Sequence, residues 1–359
     1  MKYQHWLASV QGISGRKKIM LQERMKTAEG VYYIEETALE QYGFLNRNEK
    51  NKLLQAKHMW KPDEEYEKLM KKEIQLITCF DGGYPKRLRQ IPDRPYGIYY
   101  KGSLPADHIP SAALVGARNC TAYGEKHARL LAEKLVCAGV EIISGMAKGI
   151  DGAAQRGALN GGGKTYAILG CGVDICYPSE HIGLYTDILE NSGGILSEFP
   201  PGMKPLAYNF PKRNRLISGL SDAVIVIEAR EKSGSLITAD MALEQGRDVY
   251  ALPGPVDSAL SKGCNRLIYQ GAAPVLSAEL LMQDLGIQKA VLPAESNATK
   301  KVLESKENLV YSSVCLYPKS ISQMIDELSL PAQEVMCALA SLEIKGYIKE
   351  ISKNYYIRN

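Results

Sequence analysis

The sequence predicts an α/β protein whose centre is a doubly wound, mostly parallel β-sheet. Three observations carry that expectation. Six strand-sized apolar runs alternate with helical stretches between Ala112 and Leu252, the pattern of a parallel sheet covered on both faces. Each run hands over to a loop rich in Gly, Ser or Pro. The stretch Ala112 to Asp151 reads as strand, glycine turn, helix, strand, glycine turn. A parallel pair joined by a right-handed crossover puts both glycine turns on one edge of the sheet, where ligands bind.

The elements follow in chain order. Residues 1 to 66 are Lys/Glu-rich with helical periodicity and are expected to form a small helical domain. Within it, Gly12-Ile13-Ser14-Gly15 ahead of Arg16, Lys17 and Lys18 fits either a phosphate-holding turn of helix-hairpin-helix type or a tight connection in a bundle. Residues 67 to 288 hold the Rossmann-like sheet domain. Its entry is a bridge with a short strand at Ile74 to Thr78, expected at the sheet edge, and with Pro92, Pro95 and Pro105 as punctuation. The six main runs are Ala112–Val115, Val140–Ile143, Lys164–Leu169, Gly194–Ser197, Asp222–Ile227 and Asp248–Leu252. DAVIVI at Asp222 is the strongest buried-strand signal. Residues 289 to 305 read as a linker and 306 to 359 as three short helices and a hairpin, the winged-helix order. From Lys300 to Asn359 eight Lys/Arg stand against seven Asp/Glu. So little positive charge suits a protein-contact module better than a DNA-reading one.

Composition bounds the rest. The net charge of +4 permits a nucleic-acid partner without requiring one, so clustering has to decide. No apolar run reaches the roughly 18 residues of a membrane span, and MKYQHWLASVQG lacks a secretory core, so a cytoplasmic protein is expected. The eight cysteines include no C-x-x-C pair and the five histidines lack ligand spacing. Reduced thiols and no metal site follow.

Three motifs stand on the ligand-binding edge. Gly116-Ala117-Arg118-Asn119-Cys120-Thr121 lacks G-x-G-x-x-G, and Ser144 rather than an acidic residue follows the second strand, which argues against a dinucleotide cofactor. Gly161-Gly162-Gly163-Lys164-Thr165 enters a strand and is not a Walker loop. The segment Asn209-Phe210-Pro211-Lys212-Arg213-Asn214-Arg215 places three cations at a helix start behind Tyr208 and Phe210. Guanidinium forks suit phosphate oxygens and aromatic faces accept unpaired bases, which describes a single-strand groove, although a charged turn with Phe210 in the core fits the same residues. Ser235 opens the next helix and caps it or meets a phosphate.

Together these residues resemble the DprA (Smf) family of bacterial DNA-processing proteins. The strings VGARNCTAYG, ISGMAKGIDGAAQRGAL, AILGCGVDICYP, SEFPPG, NFPKRNRLISGLSDAVIVIEA, SGSLITADMALEQGRDVYALPG and GCNRLIYQGA run in the family's order from residue 115 to 273. Gly116-Ala117-Arg118 with Thr121 departs mildly from the family's G-S-R-x-x-S. The resemblance implies a SAM-like helical domain in front and a winged helix behind. It also implies a homodimer that binds single-stranded DNA and helps load the RecA recombinase in natural transformation, with no catalysis and no cofactor. By motif position it puts DNA contacts on Arg118, Ser144, Gly145, Lys148, Phe210, Lys212, Arg213 and Arg215. Asn209, Asn214 and Ser235, beside or within these motifs, complete the candidate set. Arg118, Arg213 and Arg215 are expected to face one phosphate track, with Glu198 or Glu228 as the rival partners of Arg118. An alternative from another class is a nucleoside-monophosphate N-glycosidase, with Glu228 or Asp151 as its carboxylate.

Overall fold

The computed structural model describes residues 1–287, 305–314, 319–328 and 330–358. Among these, the main sheet has nine strands: β1 (Gln75–Thr78), β2 (Gly97–Gly102), β3 (Ser111–Val115), β4 (Glu141–Ser144), β5 (Thr165–Ile168), β6 (Gly194–Ser197), β7 (Ala223–Val226), β8 (Asp248–Ala251) and β9 (Ala273–Pro274). Their order is β1-β2-β6-β5-β4-β3-β7-β8-β9. From β6 to β9 every neighbour is parallel, while β2 runs antiparallel to both β6 and β1. All six expected runs form strands of this sheet, and the Ile74 to Thr78 run becomes the edge strand β1. β2 was not expected.

Strands β3 to β7 are buried along their whole length, which is why they read as unbroken apolar runs. Their few hydroxyls face the neighbouring backbone: Ser144 Oγ donates to the Leu114 carbonyl at 2.7 Å and Thr165 Oγ1 to that of Ile142 at 2.8 Å. β3 lies between β4 and β7, so chain connections depart to opposite sides from this point, and a crevice opens there beyond the carboxyl ends of the strands.

Six helices precede the sheet: Lys2–Ser9, Gly15–Met25, Ala28–Tyr33, Glu36–Glu40, Arg47–Met59 and Pro62–Lys71. Local signals fix several of them. Asn46 and Glu49 make a reciprocal capping box at the start of Arg47–Met59, and Pro62 takes the first turn of the last helix. These helices do not keep a separate core. Residues 1–292 form one compact unit, in which Trp6, Leu7, Leu21 and Leu53 belong to the same buried cluster as Tyr96, Tyr99, Tyr166 and Ile195.

His5 Nδ1 lies 2.9 Å from Tyr99 Oη in this core. Burial lowers its pKa from 6.5 to about 4. The folded protein therefore requires the neutral ring, and this stability is present above pH 6.5 and lost as pH falls toward 4. His5→Gln is expected to flatten that part of the stability curve, as read by urea denaturation between about pH 4 and pH 7. An unchanged slope removes His5 as the titrating group.

Residues 293–359 form the second unit. Its described helices are Ser305–Ser313, Ile321–Leu328 and Ala332–Ile344, with a sheet of β10 (Lys319–Ser320), β11 (Ile348–Ser352) and β12 (Tyr355–Arg358) in the order β10-β12-β11. Val310, Met324, Val335, Leu339, Leu342 and Ile348 make its core. The expected linker 289–305 lies outside the described residues but for Ser305. No helix among the described residues is long and apolar enough to cross a membrane.

Candidate nucleic-acid interface

The crevice at the β3 switch point is a cavity of about 610 Å3. Five successive connections wall it: Gly116 to Arg118 after β3, Ala147 and Asp151 after β4, Tyr177 after β5, Phe210 to Asn214 on the Asn209–Gly219 helix after β6, and Lys232 to Ser235 after β7. The last of these opens the Gly234–Glu244 helix, whose N-cap is Ser233. Its first amides therefore add positive potential at the wall.

Arg213 makes the floor. It is 4% exposed, and its Nη1 donates to the carbonyls of Gly145, at 2.8 Å, and Ile168. Asp151, on the Ile150–Asn160 helix, accepts the Gly145 amide at 3.1 Å. Burial pushes both of these charged groups toward neutrality. Asp151 rises above its usual range against the pull of Arg213, and Arg213 falls to about 10 against the pull of Asp151. At neutral pH the arginine stays charged. A Cβ on Gly145 would stand 2.6 Å from Arg213 Nη2, so only glycine lets the turn close over the guanidinium. The same turn is held from the far side by His181, whose Nδ1 lies 3.0 Å from the Met146 carbonyl.

The rim is different in kind. Arg118 is exposed and its guanidinium sits 5.4 Å from the centroid of the Phe210 ring. Arg213 approaches the same ring to 5.9 Å and Tyr177 to 5.4 Å. Tyr208 stands 60% exposed with Lys212 Nζ 5.4 Å from its ring. Among the described residues neither the Arg118 nor the Lys212 side chain has an ion-pair partner. Cations over aromatic faces, open to solvent and uncompensated, suit phosphates and unpaired bases.

Of the residues singled out in the sequence, Arg118, Phe210, Arg213, Asn214 and Ser235 come together on the crevice wall. Ser235 is buried and its Oγ lies 2.8 Å from Ser233 Oγ. Asn214 holds the Gly234 carbonyl at 3.2 Å and thereby joins two of the walls. Ser144 and Asn209 are 0% and 1% exposed, which places their side chains behind the surface. Lys148 is exposed and paired with Glu180 at 2.6 Å.

The expectation that Arg118, Arg213 and Arg215 share one phosphate track is corrected by the geometry. Two residues along a helix turn by about 200°, so Arg213 points down under the crevice while Arg215 points into a second cavity of about 550 Å3, beside Lys212 and Glu198. There Glu198 grips Arg215 Nη2 at 2.9 and 2.8 Å, and Asp93 accepts from its Nε at 3.0 Å. Burial opposes the Arg215 charge, but the two carboxylates outweigh it and hold the pKa above its ordinary value. Neither rival partner reaches Arg118. Glu198 is taken by Arg215, and Glu228 accepts from the amide and hydroxyl of Thr121, at 2.9 and 2.5 Å, at the start of the Ala122–Cys137 helix.

Sequence reasoning passed over Tyr177, Arg230 and Lys232. The signal was present for the two cations: those of EAREKSGS follow the fifth run at the same sheet edge. Tyr177 gave no such sign, because its proximity to Phe210 arises only in three dimensions.

Comparisons with known proteins cover the domain that carries this site. Residues 75–286 match the family model described as DNA recombination-mediator protein A. Protein Smf of Escherichia coli is 40% identical over 295 residues, which cover 78% of this chain and 76% of that one. The X-ray structure of DNA processing protein A from Streptococcus pneumoniae superposes with a TM-score of 0.69 at 34% identity, covering 79% of this chain and 98% of that one. A structure of the Helicobacter pylori protein, described as giving insight into its single-stranded DNA binding mode, has a TM-score of 0.52 at 31% identity and covers 59% and 95%.

Proposed function

Because the chain belongs to the DNA recombination-mediator protein A family, we propose that it binds single-stranded DNA in this crevice and, as a cytoplasmic homodimer, helps load the RecA recombinase on that strand in natural transformation and recombination. The observation that carries the DNA reading is the exposed, unpaired Arg118 guanidinium over the Phe210 ring, at the mouth of a crevice walled by a helix start. A phosphate and an unstacked base find complementary groups there, and the single-strand binding described for the Helicobacter pylori relative supports the same reading. RecA loading and dimer formation rest on the family likeness, and no residues are assigned to them.

The proposal contains no catalytic step. Glu228 is committed to Thr121, and Asp151 is bonded to the Gly145 amide beneath the cavity. Nucleoside-monophosphate turnover is accordingly expected to stay at background.

Anisotropy titrations of single- and double-stranded oligonucleotides in one buffer test the central reading. Single strands are expected to bind at least about tenfold more tightly, the worth of one or two stacked bases, and affinity is expected to fall with salt as counterions are released. Equal affinity for both forms, or no response to salt, overturns the assignment. Removing residues 306–359 is expected to change affinity by less than about threefold, since the exposed side of the Ala332–Ile344 helix carries Met336, Cys337 and Ile344 rather than cations. A larger loss in a folded truncation assigns DNA contacts to the tail.

A further inference from the structure

Beyond the Arg118 side of the crevice lies a separate cavity of about 340 Å3, whose charged wall consists of Arg118, Arg230 and Lys232 with no acidic residue. Arg230 and Lys232 are exposed, and neither side chain has an ion pair among the described residues, unlike Lys72 or Lys134 elsewhere on the surface. Glu231, between them in sequence, lines a different cavity with Asp240, which Lys232 also borders. Arg118 and Lys232 also line the crevice, so they stand on the partition between the two spaces.

The backbone that carries Arg230 is anchored. The Ala229 amide donates to the Leu260 carbonyl at 2.7 Å, and the Gly263 amide donates to the Ala229 carbonyl at 2.8 Å. Three like charges are thus gathered around one cavity, and an anion placed among them lowers their mutual repulsion. No aromatic ring lines this space, so nothing in it offers a face to a base.

We propose that this cavity is a second phosphodiester subsite, taking the backbone of a nucleic-acid strand as it leaves the crevice past the start of the Gly234–Glu244 helix. The subsite rests on the reading of the crevice as a single-strand site. It is independent of base sequence and acts only on strands long enough to reach it.

The test is a titration of wild type, Arg230→Gln and Arg118→Ala with labelled oligothymidylates of about 4 and about 16 nucleotides, the span of small single-strand sites. For Arg230→Gln, whose side chain lines this cavity and not the crevice, affinity for the longer strand is expected to fall about tenfold and its salt slope by about 0.7, one phosphate contact fewer. Affinity for the short strand stays within about twofold. Arg230→Lys keeps most of the long-strand affinity, since it keeps the charge. An unchanged long strand, or an equal loss on both lengths, overturns the subsite. Arg118→Ala separates the two readings: if it leaves the short strand unaffected, the crevice assignment itself falls and the subsite with it.

Discussion

Arg118→Ala lowers single-strand affinity by roughly 10- to 100-fold, the 1.5–3 kcal/mol of hydrogen bonds made to a charged group, and leaves the melting temperature in place. The guanidinium is exposed and its only described contact is the Phe210 ring, so its removal leaves no buried donor or acceptor unpaired. The loss is uniform across sequences and accompanied by a fall of about 0.7 in the salt slope, one phosphate contact fewer. Arg118→Lys retains part of the affinity, having the charge without the fork. Titrations at several salt concentrations, with a thermal melt on each preparation, decide it. An unchanged affinity, or a protein that unfolds, makes Arg118 structural.

Arg213→Leu acts on the fold. The substitution leaves Asp151 buried without its counter-charge and takes the donor from the Gly145 and Ile168 carbonyls. Leaving buried acceptors without their donor costs about 1–3 kcal/mol each. The pH dependence has a definite sign. Asp151 already titrates above 3.8 because of burial, so its penalty is absent where the carboxyl is protonated in folded and unfolded chains alike and grows as pH rises through the folded pKa. Without Arg213 that pKa rises further, and the deficit is larger at about pH 8 than at about pH 5. Asp151→Asn in the same background recovers part of the loss. Urea denaturation of wild type and the two variants at both pH values tests this. A deficit under about 1 kcal/mol shows that the two carbonyls do not depend on Arg213, and one independent of pH shows that Asp151 does not feel its charge.

The contrast between these two arginines shows what the sequence could and could not tell. The six main strands were legible because burial on both faces leaves unbroken apolar runs such as DAVIVI. The convergence of their loops followed from parallel topology alone. β2 escaped notice because it is an antiparallel strand in a proline-punctuated bridge, where no helix crosses over to announce it. Side-chain direction was hidden too. Arg213 and Arg215 look equivalent in NFPKRNR, yet one is under the crevice and the other is gripped by Asp93, 122 positions away. A partner at that distance leaves no local trace. Arg118 was placed on the correct edge, but its exposure and its stacking on Phe210 depend on where two separate loops meet.

The strand order also has a consequence for the order of events during synthesis. β1 and β2 pair with each other but join the rest of the sheet only through β6, so they have no sheet to join until Ser197 has been made. Trp6, Leu7 and Leu21, with no exposed surface in the finished protein, can until then pack only within the first hundred residues, and the rest of their cluster is missing while about another hundred residues emerge after β2. At roughly 5–20 residues per second that interval lasts on the order of 5–20 s. During it only the side of the leading helices that faces the later strands stays uncovered, and it is there that the nascent chain is open to wrong partners.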